Sequence, residues 1–387
     1  MKASAFVYPW DVNGDPEAGE RIAGLGVRQV TLASAYHSTR ALTPRHPRHR
    51  VVTAEHAAVL YPPDSRWRGR ELRPYAAGDW APGDAYGEAA ASLADAGLEV
   101  HTWVVLAHNS RLGAEHPDTS VVNAYGDRYP WAPCIAQPAT RAYLVDLAAE
   151  AAVRPGAHGT ELESLGWYGL AHLHAHDKTG GIALGDAGQY LMSLCFCPTC
   201  REGYGEQGLD AEELAAVVRA ALEPVWQGAP SDGGWAGVEK LLGEADATAT
   251  RAWRDDRART LQETAVAAVR AAAPADFQVL LHADPESYHC GANAGVDPAH
   301  ILSVADGVVV PCTGGAGLLT PFAEQGLDGG VLAANFTVVS GMGGHPGALA
   351  ADAARARGLG ATELRLYHAG LASDGDLAEV RSALAGL

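Results

Sequence analysis

The sequence predicts an α/β protein built as one (β/α)8 barrel of the TIM type, carrying a cysteine-rich loop excursion. Three observations lead there. Short β-rich runs alternate with Ala-rich helical runs along all 387 residues, the pattern of parallel strands joined by helical crossovers. Eight strand candidates can be counted, the number that closes such a barrel. No Gly-rich phosphate loop follows any of them, which leaves a nucleotide-binding open sheet without support. The Gly-rich run 313–317 lacks the Lys-Ser/Thr of a P-loop and reads as a plain loop.

In order, the strands are expected at residues 3–8, 29–34, 99–106, 160–165, 278–282, 307–311, 330–335 and 363–367. The first ends at Pro9-Trp10, and most of the others run into a polar or Gly-rich segment and then a helix. Helices are expected at 16–25, 85–96, 138–152, 258–273 and 348–358. Two excursions break the spacing. Residues 37–75 are rich in Pro, Arg and His, and loops this long are commonly functional or disordered. The second region, 108–253, lies between the third and fifth strands; its last part, 208–253, reads as mostly helical with a break at 228–234. Without repeats or low-complexity linkers, residues 1–387 read as a single domain.

Composition narrows the function classes. Hydrophobic residues make up 48% and charged residues 19%, which is globular. The net charge is -18 and the only lysines are Lys2, Lys178 and Lys240, so nucleic acid and anionic lipid are poor partners. No apolar run is long enough to span a membrane. The first residues read as a strand rather than a signal peptide, because their apolar stretch is short. The expected location is the cytoplasm, and a homo-oligomer is compatible with everything read so far.

Four of the six cysteines carry a metal signal. Cys195, Cys197 and Cys200 form a Cys-x-Cys-x-x-Cys run on one tight loop, with Pro198 expected to help hold the turn. Soft thiolates in such numbers favour zinc, and structural zinc takes four ligands in a closed tetrahedron. Cys134 is the candidate fourth ligand, while Cys290 and Cys312 stand alone. Disulfides are the bland alternative, but an unexported chain rarely builds them.

Reacting groups of a barrel project from the C-terminal ends of its strands. Those ends form a polar ring here: Asp11; Tyr36, His37 and Arg40; His108 and Asn109; Glu161 and Glu163; His282 and Asp284; Cys312; Asn335; Tyr367 and His368. Gathering so many ionisable groups is costly without function. Strand alternation puts Glu161 and Glu163 on one face, one toward the barrel core and the other at its mouth, with Trp167 and Tyr168 following. Glu163 is the better placed for chemistry, with Trp167 a candidate apolar wall that would favour its protonated form; a salt-bridged pair is the alternative. Asp284 shares parity with His282 and could supply a second carboxyl, as glycoside cleavage requires, or simply start a turn before Pro285. His172, His174 and His176 could chelate a metal or hydrogen-bond a polyol.

The run from Pro133-Cys134 through a helix and the fourth strand to Cys195-Phe-Cys197-Pro-Thr-Cys200 resembles the family 42 β-galactosidases over about residues 134–200. The remainder is closer to uncharacterised glycosidase-like barrels. The resemblance implies a TIM barrel, structural zinc on Cys134, Cys195, Cys197 and Cys200, and an acid/base glutamate at Glu163. The family's Asn-Glu dipeptide reads Leu162-Glu163 here, and the seventh strand, where its nucleophilic glutamate belongs, offers Asn335 and no carboxylate. The expectation is therefore a glycosidase acting on a carbohydrate. Glu163 would be the general acid/base and Asp284 the leading second carboxylate, with Asp11 behind it. Substrate contacts are expected from Asp11, His37, Arg40, His108, Asn109, Glu161, Trp167, His172, His174, His282, Asn335, Tyr367 and His368. A metal-dependent sugar isomerase or lyase, using His282, Glu163 and the histidine run, is the alternative enzyme. A non-catalytic sugar-binding barrel is the third reading.

Overall fold

A computed structural model describes residues 1–171 and 177–387. Its eight barrel strands are β1 (Lys2–Val7), β2 (Gln29–Tyr36), β3 (Glu99–Val105), β4 (Ala157–Glu163), β5 (Gln278–Asp284), β6 (Gly307–Pro311), β7 (Val331–Thr337) and β8 (Glu363–Tyr367). Each pairs in parallel with the next, and β8 pairs with β1, so the sheet closes on itself. The crossover helices are α1 (Ala18–Ala23), α2 (Ala85–Asp95), α3 (Pro138–Ala152), α4 (Glu244–Ala272), α5 (Pro298–Val304), α6 (Thr320–Ala323), α7 (Leu349–Gly358) and α8 (Asp374–Ala385). All eight expected strands are present, and the fold is the TIM barrel.

Alternation explains the packing. On β1, Ala3, Ala5 and Val7 face outward into the large apolar layer shared with the helices, as do Val30 and Leu32 on β2 and Leu364 and Leu366 on β8. Residues of opposite parity fill the barrel. Leu280, Val309, Val331 and Ala333 form one apolar plug inside it, while Phe6, Tyr8, Ala33, Tyr36 and Trp103 form another near the mouth. Strands covered on both faces are buried along nearly their whole length, as parallel strands are.

Three segments depart from the regular unit. The 37–75 loop contains a hairpin, Thr39–Leu42 against Val51–Ala54. A second hairpin, Ser120–Val122 against Arg128–Pro133, follows β3. After β4 come helices Gly185–Met192, Pro198–Glu206, Ala211–Trp226 and Gly234–Leu242 before α4 begins. The expected helix at 258–273 is longer than its apolar pattern suggested. It starts at Glu244 and packs along α3. No helix among the described residues is long and apolar enough to cross a membrane.

Candidate active site and thiol cluster

Pro198 opens a helix rather than holding a turn: Cys197 caps helix Pro198–Glu206 and Cys200 lies in its first turn. Cys134 follows the second hairpin, and the two loops are stitched by Phe196 N–H donating to the Val122 carbonyl at 2.6 Å. All four thiols are buried and lie close enough together to hold one metal ion. Cys134 Sγ is 3.7 Å from Cys197 Sγ and 3.6 Å from Cys200 Sγ. A tetrahedron built on metal–sulfur bonds of about 2.3 Å has edges of roughly 3.8 Å. The donor set thus fits a tetrahedral thiolate site. Among the described residues this is the only group of at least three His, Cys, Asp or Glu placed to hold a metal.

At the barrel mouth, Glu163 ends β4 and is 9% exposed. Trp103, from β3, donates its indole N–H to Glu163 Oε2 at 2.7 Å. Burial raises the Glu163 carboxyl above the ordinary carboxylate range; His282 and the Trp103 N–H pull it down, and the Glu161 charge pushes it up again. The phenols of Tyr8, Tyr36 and Tyr367 gather beside it. Tyr8 donates to Tyr36 at 3.0 Å, and Tyr367 is within hydrogen-bonding reach of both. Burial raises all three, so they stand as neutral donors. His37 stacks on Tyr36 at 4.2 Å and meets His108 edge-on at 5.0 Å, and His108 stacks on Tyr168 at 4.3 Å. His368 stacks on Tyr8 at 4.2 Å. Its Nδ1 accepts from Gly370 N–H, so the proton sits on Nε2, which is buried without a partner among the described residues.

Glu161 lies deeper. It is fully buried and ion-paired with Arg365 of β8, and it also accepts from His282 Nε2 at 3.3 Å and Thr31 Oγ1 at 3.1 Å. Burial opposes its charge, but Arg365 and His282 outweigh that and hold the carboxyl at about 2. Arg365 is equally buried and also meets Glu363 at 2.8 Å. Glu161 and Glu163 therefore share a face but differ in state: one is a locked carboxylate inside the barrel, the other a protonatable acid at its mouth.

Other expected residues divide clearly. Asp11 is shut in beneath Gly370, where an added Cβ would come within 1.9 Å of its Oδ2; burial pushes its carboxyl up to about 7. Asp284 starts a turn through one oxygen, Oδ1, which accepts from Glu286 N–H at 2.9 Å and from His289 Nδ1 at 3.0 Å. It also lines a cavity of about 310 Å³ with Tyr168, Tyr288 and His289. Asn335 is half-buried at the mouth end of β7, its Oδ1 without a partner among the described residues. Arg40 is exposed on the first hairpin. Asn109 caps a short helix through Leu112 N–H. Trp167 is not the wall over Glu163: its N–H donates to the Arg254 carbonyl and its ring lies under the Arg254 guanidinium at 4.8 Å. Trp103 takes that place. His172, His174 and His176 lie outside the described residues. Tyr8 and Trp103 were not anticipated, although strand parity with Phe6 and with His101 puts both inside the barrel.

No protein-family model matches the chain, and no curated protein matches it in sequence. Among solved structures it is similar to the PgaB (BpsB) glycoside hydrolase domain from Bordetella bronchiseptica, with 16% identity, 99% of each chain covered and a TM-score of 0.58. It is also similar to the catalytic domain of β-amylase from Paenibacillus polymyxa, with 13% identity, 99% of this chain and 97% of that one covered and a TM-score of 0.57. A cold-adapted β-galactosidase from Rahnella sp. R3 matches over all of this chain at 12% identity and a TM-score of 0.55. The chain spans only 56% of that enzyme, and 49% of an α-L-fucosidase from Paenibacillus thiaminolyticus that it also resembles. These likenesses establish a TIM barrel of the kind found in glycoside hydrolases of several families.

Proposed function

We propose that this chain is a glycoside hydrolase in which Glu163 is the general acid and Asp284 the second carboxylate. The observation that carries the reading is the Glu163 carboxyl itself. It sits at the C-terminal end of β4, is kept protonatable by burial, and is oriented by the Trp103 indole N–H at 2.7 Å. A buried carboxyl at a barrel mouth is what protonating a departing sugar oxygen requires. Asp284 is favoured because it shares its cavity with Tyr168, whose hydroxyl feels the Glu163 charge. The three tyrosine hydroxyls, His37 and His108 would hold sugar hydroxyls, and the surrounding rings would cover the apolar faces of the sugar.

Zinc is assigned to Cys134, Cys195, Cys197 and Cys200, where four thiolates leave no open position and the metal would brace two loops without entering the reaction. An isomerase or lyase built on a metal at Glu163 and His282 is less well supported, since His282 Nε2 is turned to Glu161.

A panel of aryl glycosides tests the proposal. Glu163→Gln should cut turnover on poor leaving groups far more than on activated ones, because activated groups need little protonation. Equal rates for variant and wild type on both would refute the assignment. In a complex, a carboxyl separation of about 5–5.5 Å would mean retention and about 6.5–9.5 Å inversion.

A further inference from the structure

A second cavity, of about 490 Å³, opens on the same face of the barrel. Its lining residues come from the loop after β1, from the long loop between β2 and α2, and from the start of α2. Trp10 and Trp80 supply the aromatic surface, and Arg48, His49, Asp79 and Glu88 supply polar groups of both signs. Trp10 is 4% exposed, and its indole N–H has no partner among the described residues; the same is true of the Trp80 N–H. Two orphaned buried donors in the walls of one cavity are unusual, because buried N–H groups are normally satisfied.

The cavity is joined to the mouth by stacked rings. Trp10 lies on Tyr8 at 4.6 Å, Tyr8 on Trp103 at 5.8 Å, and Trp103 donates to Glu163. Beside the cavity, the cross-strand pair Leu42 and Val51 leaves 64% and 52% of its surface exposed on the hairpin. Indole faces, mixed-sign polar groups and adjoining apolar surface suit a polyhydroxylated ring with apolar faces. A net charge of -18 disfavours an acidic polymer.

We infer that this cavity is a remote subsite for a neutral oligosaccharide, binding a sugar unit beyond the one at Glu163. The inference rests on the proposed function for its position in the reaction, but the binding itself does not require Glu163 to be the acid. Isothermal titration of the Glu163→Gln protein with cellotetraose, maltotetraose and β-1,4-galactotetraose is the test, with tetragalacturonate as the acidic control. At least one neutral tetrasaccharide should bind. Trp80→Ala and, separately, Arg48→Ala should weaken it roughly three- to tenfold, the loss expected for one stacking contact or one polar contact. Circular dichroism confirms that each variant is folded. In the wild-type background the same variants should raise KM for the tetrasaccharide while leaving aryl monoglycoside KM and kcat unchanged. Absence of binding by every neutral tetrasaccharide, or binding unaffected by both variants, would overturn the subsite. Tight binding without hydrolysis by wild type would instead overturn the catalytic assignment and leave the subsite standing.

Discussion

Replacing Glu161 with Gln should destabilise the barrel by about 3 kcal/mol at neutral pH. The figure follows from the ion pair. A carboxyl that ordinarily titrates at 4.5 is held at about 2 when folded, and that difference corresponds to about 3 kcal/mol of preference for the folded state. Mutational experience with broken buried pairs gives about 3–5 kcal/mol, because the surviving charge is left uncompensated. Glu363, at 2.8 Å from Arg365, keeps the penalty toward the lower end. Because the folded value is depressed, the contribution is present above about pH 4.5 and disappears as pH falls toward 2. Urea unfolding should therefore show a large gap between wild type and E161Q at pH 7 that narrows steadily below pH 4.5. The double variant Glu161→Leu with Arg365→Leu should lose less than E161Q, since neither charge remains. A gap below about 1 kcal/mol at pH 7, or one that does not narrow in acid, would refute the argument.

Three further outcomes follow from the site. Trp103→Phe removes a donor that favours ionised Glu163, so the basic limb of the pH–rate profile should move to higher pH; an unmoved or lowered limb would contradict the Glu163 assignment. Purified protein should contain one equivalent of zinc by elemental analysis, and Cys197→Ser should lower both zinc content and melting temperature; metal-free protein of unchanged stability would end that proposal. Asp11, held at about 7 against an ordinary 3.8, favours folding while protonated and loses that advantage as pH rises. Asp11→Asn should therefore gain in melting temperature relative to wild type between about pH 4 and pH 7, and a constant difference would show that the carboxyl is not pushed up.

The strand pattern was legible because each strand carries its apolar parity in its own residues. Even so, β4 begins at Ala157 rather than residue 160. Ala-His-Gly is a weak strand signal, and Gly159 is there for packing: a Cβ would come within 2.5 Å of the His101 ring. The thiol cluster was legible because three ligands are local and soft. The state of Glu161 was not, because Arg365 lies 204 residues away and only barrel closure brings the two together. Trp167 was misread for a related reason. Nearness to Glu163 in sequence says nothing about Arg254, whose guanidinium covers its ring. The hairpin within the 37–75 loop was masked by its Arg- and His-rich composition, which local propensity reads as irregular.

The thiol cluster and the Glu161–Arg365 pair also differ in when they can form. All four sulfurs lie between residues 134 and 200, flanking α3 and β4. A metal can therefore join them in a nascent chain that has not yet reached β5. Closing a loop of 63 residues this way would remove on the order of 4 kcal/mol of unfolded-chain entropy, if a metal clasp acts as a disulfide does. Glu161 must wait for the last strand before it meets its cation. With a metal bound, the barrel would have an early fastener and a late one, and a chain truncated before β8 would keep the first while carrying a bare charge at its centre.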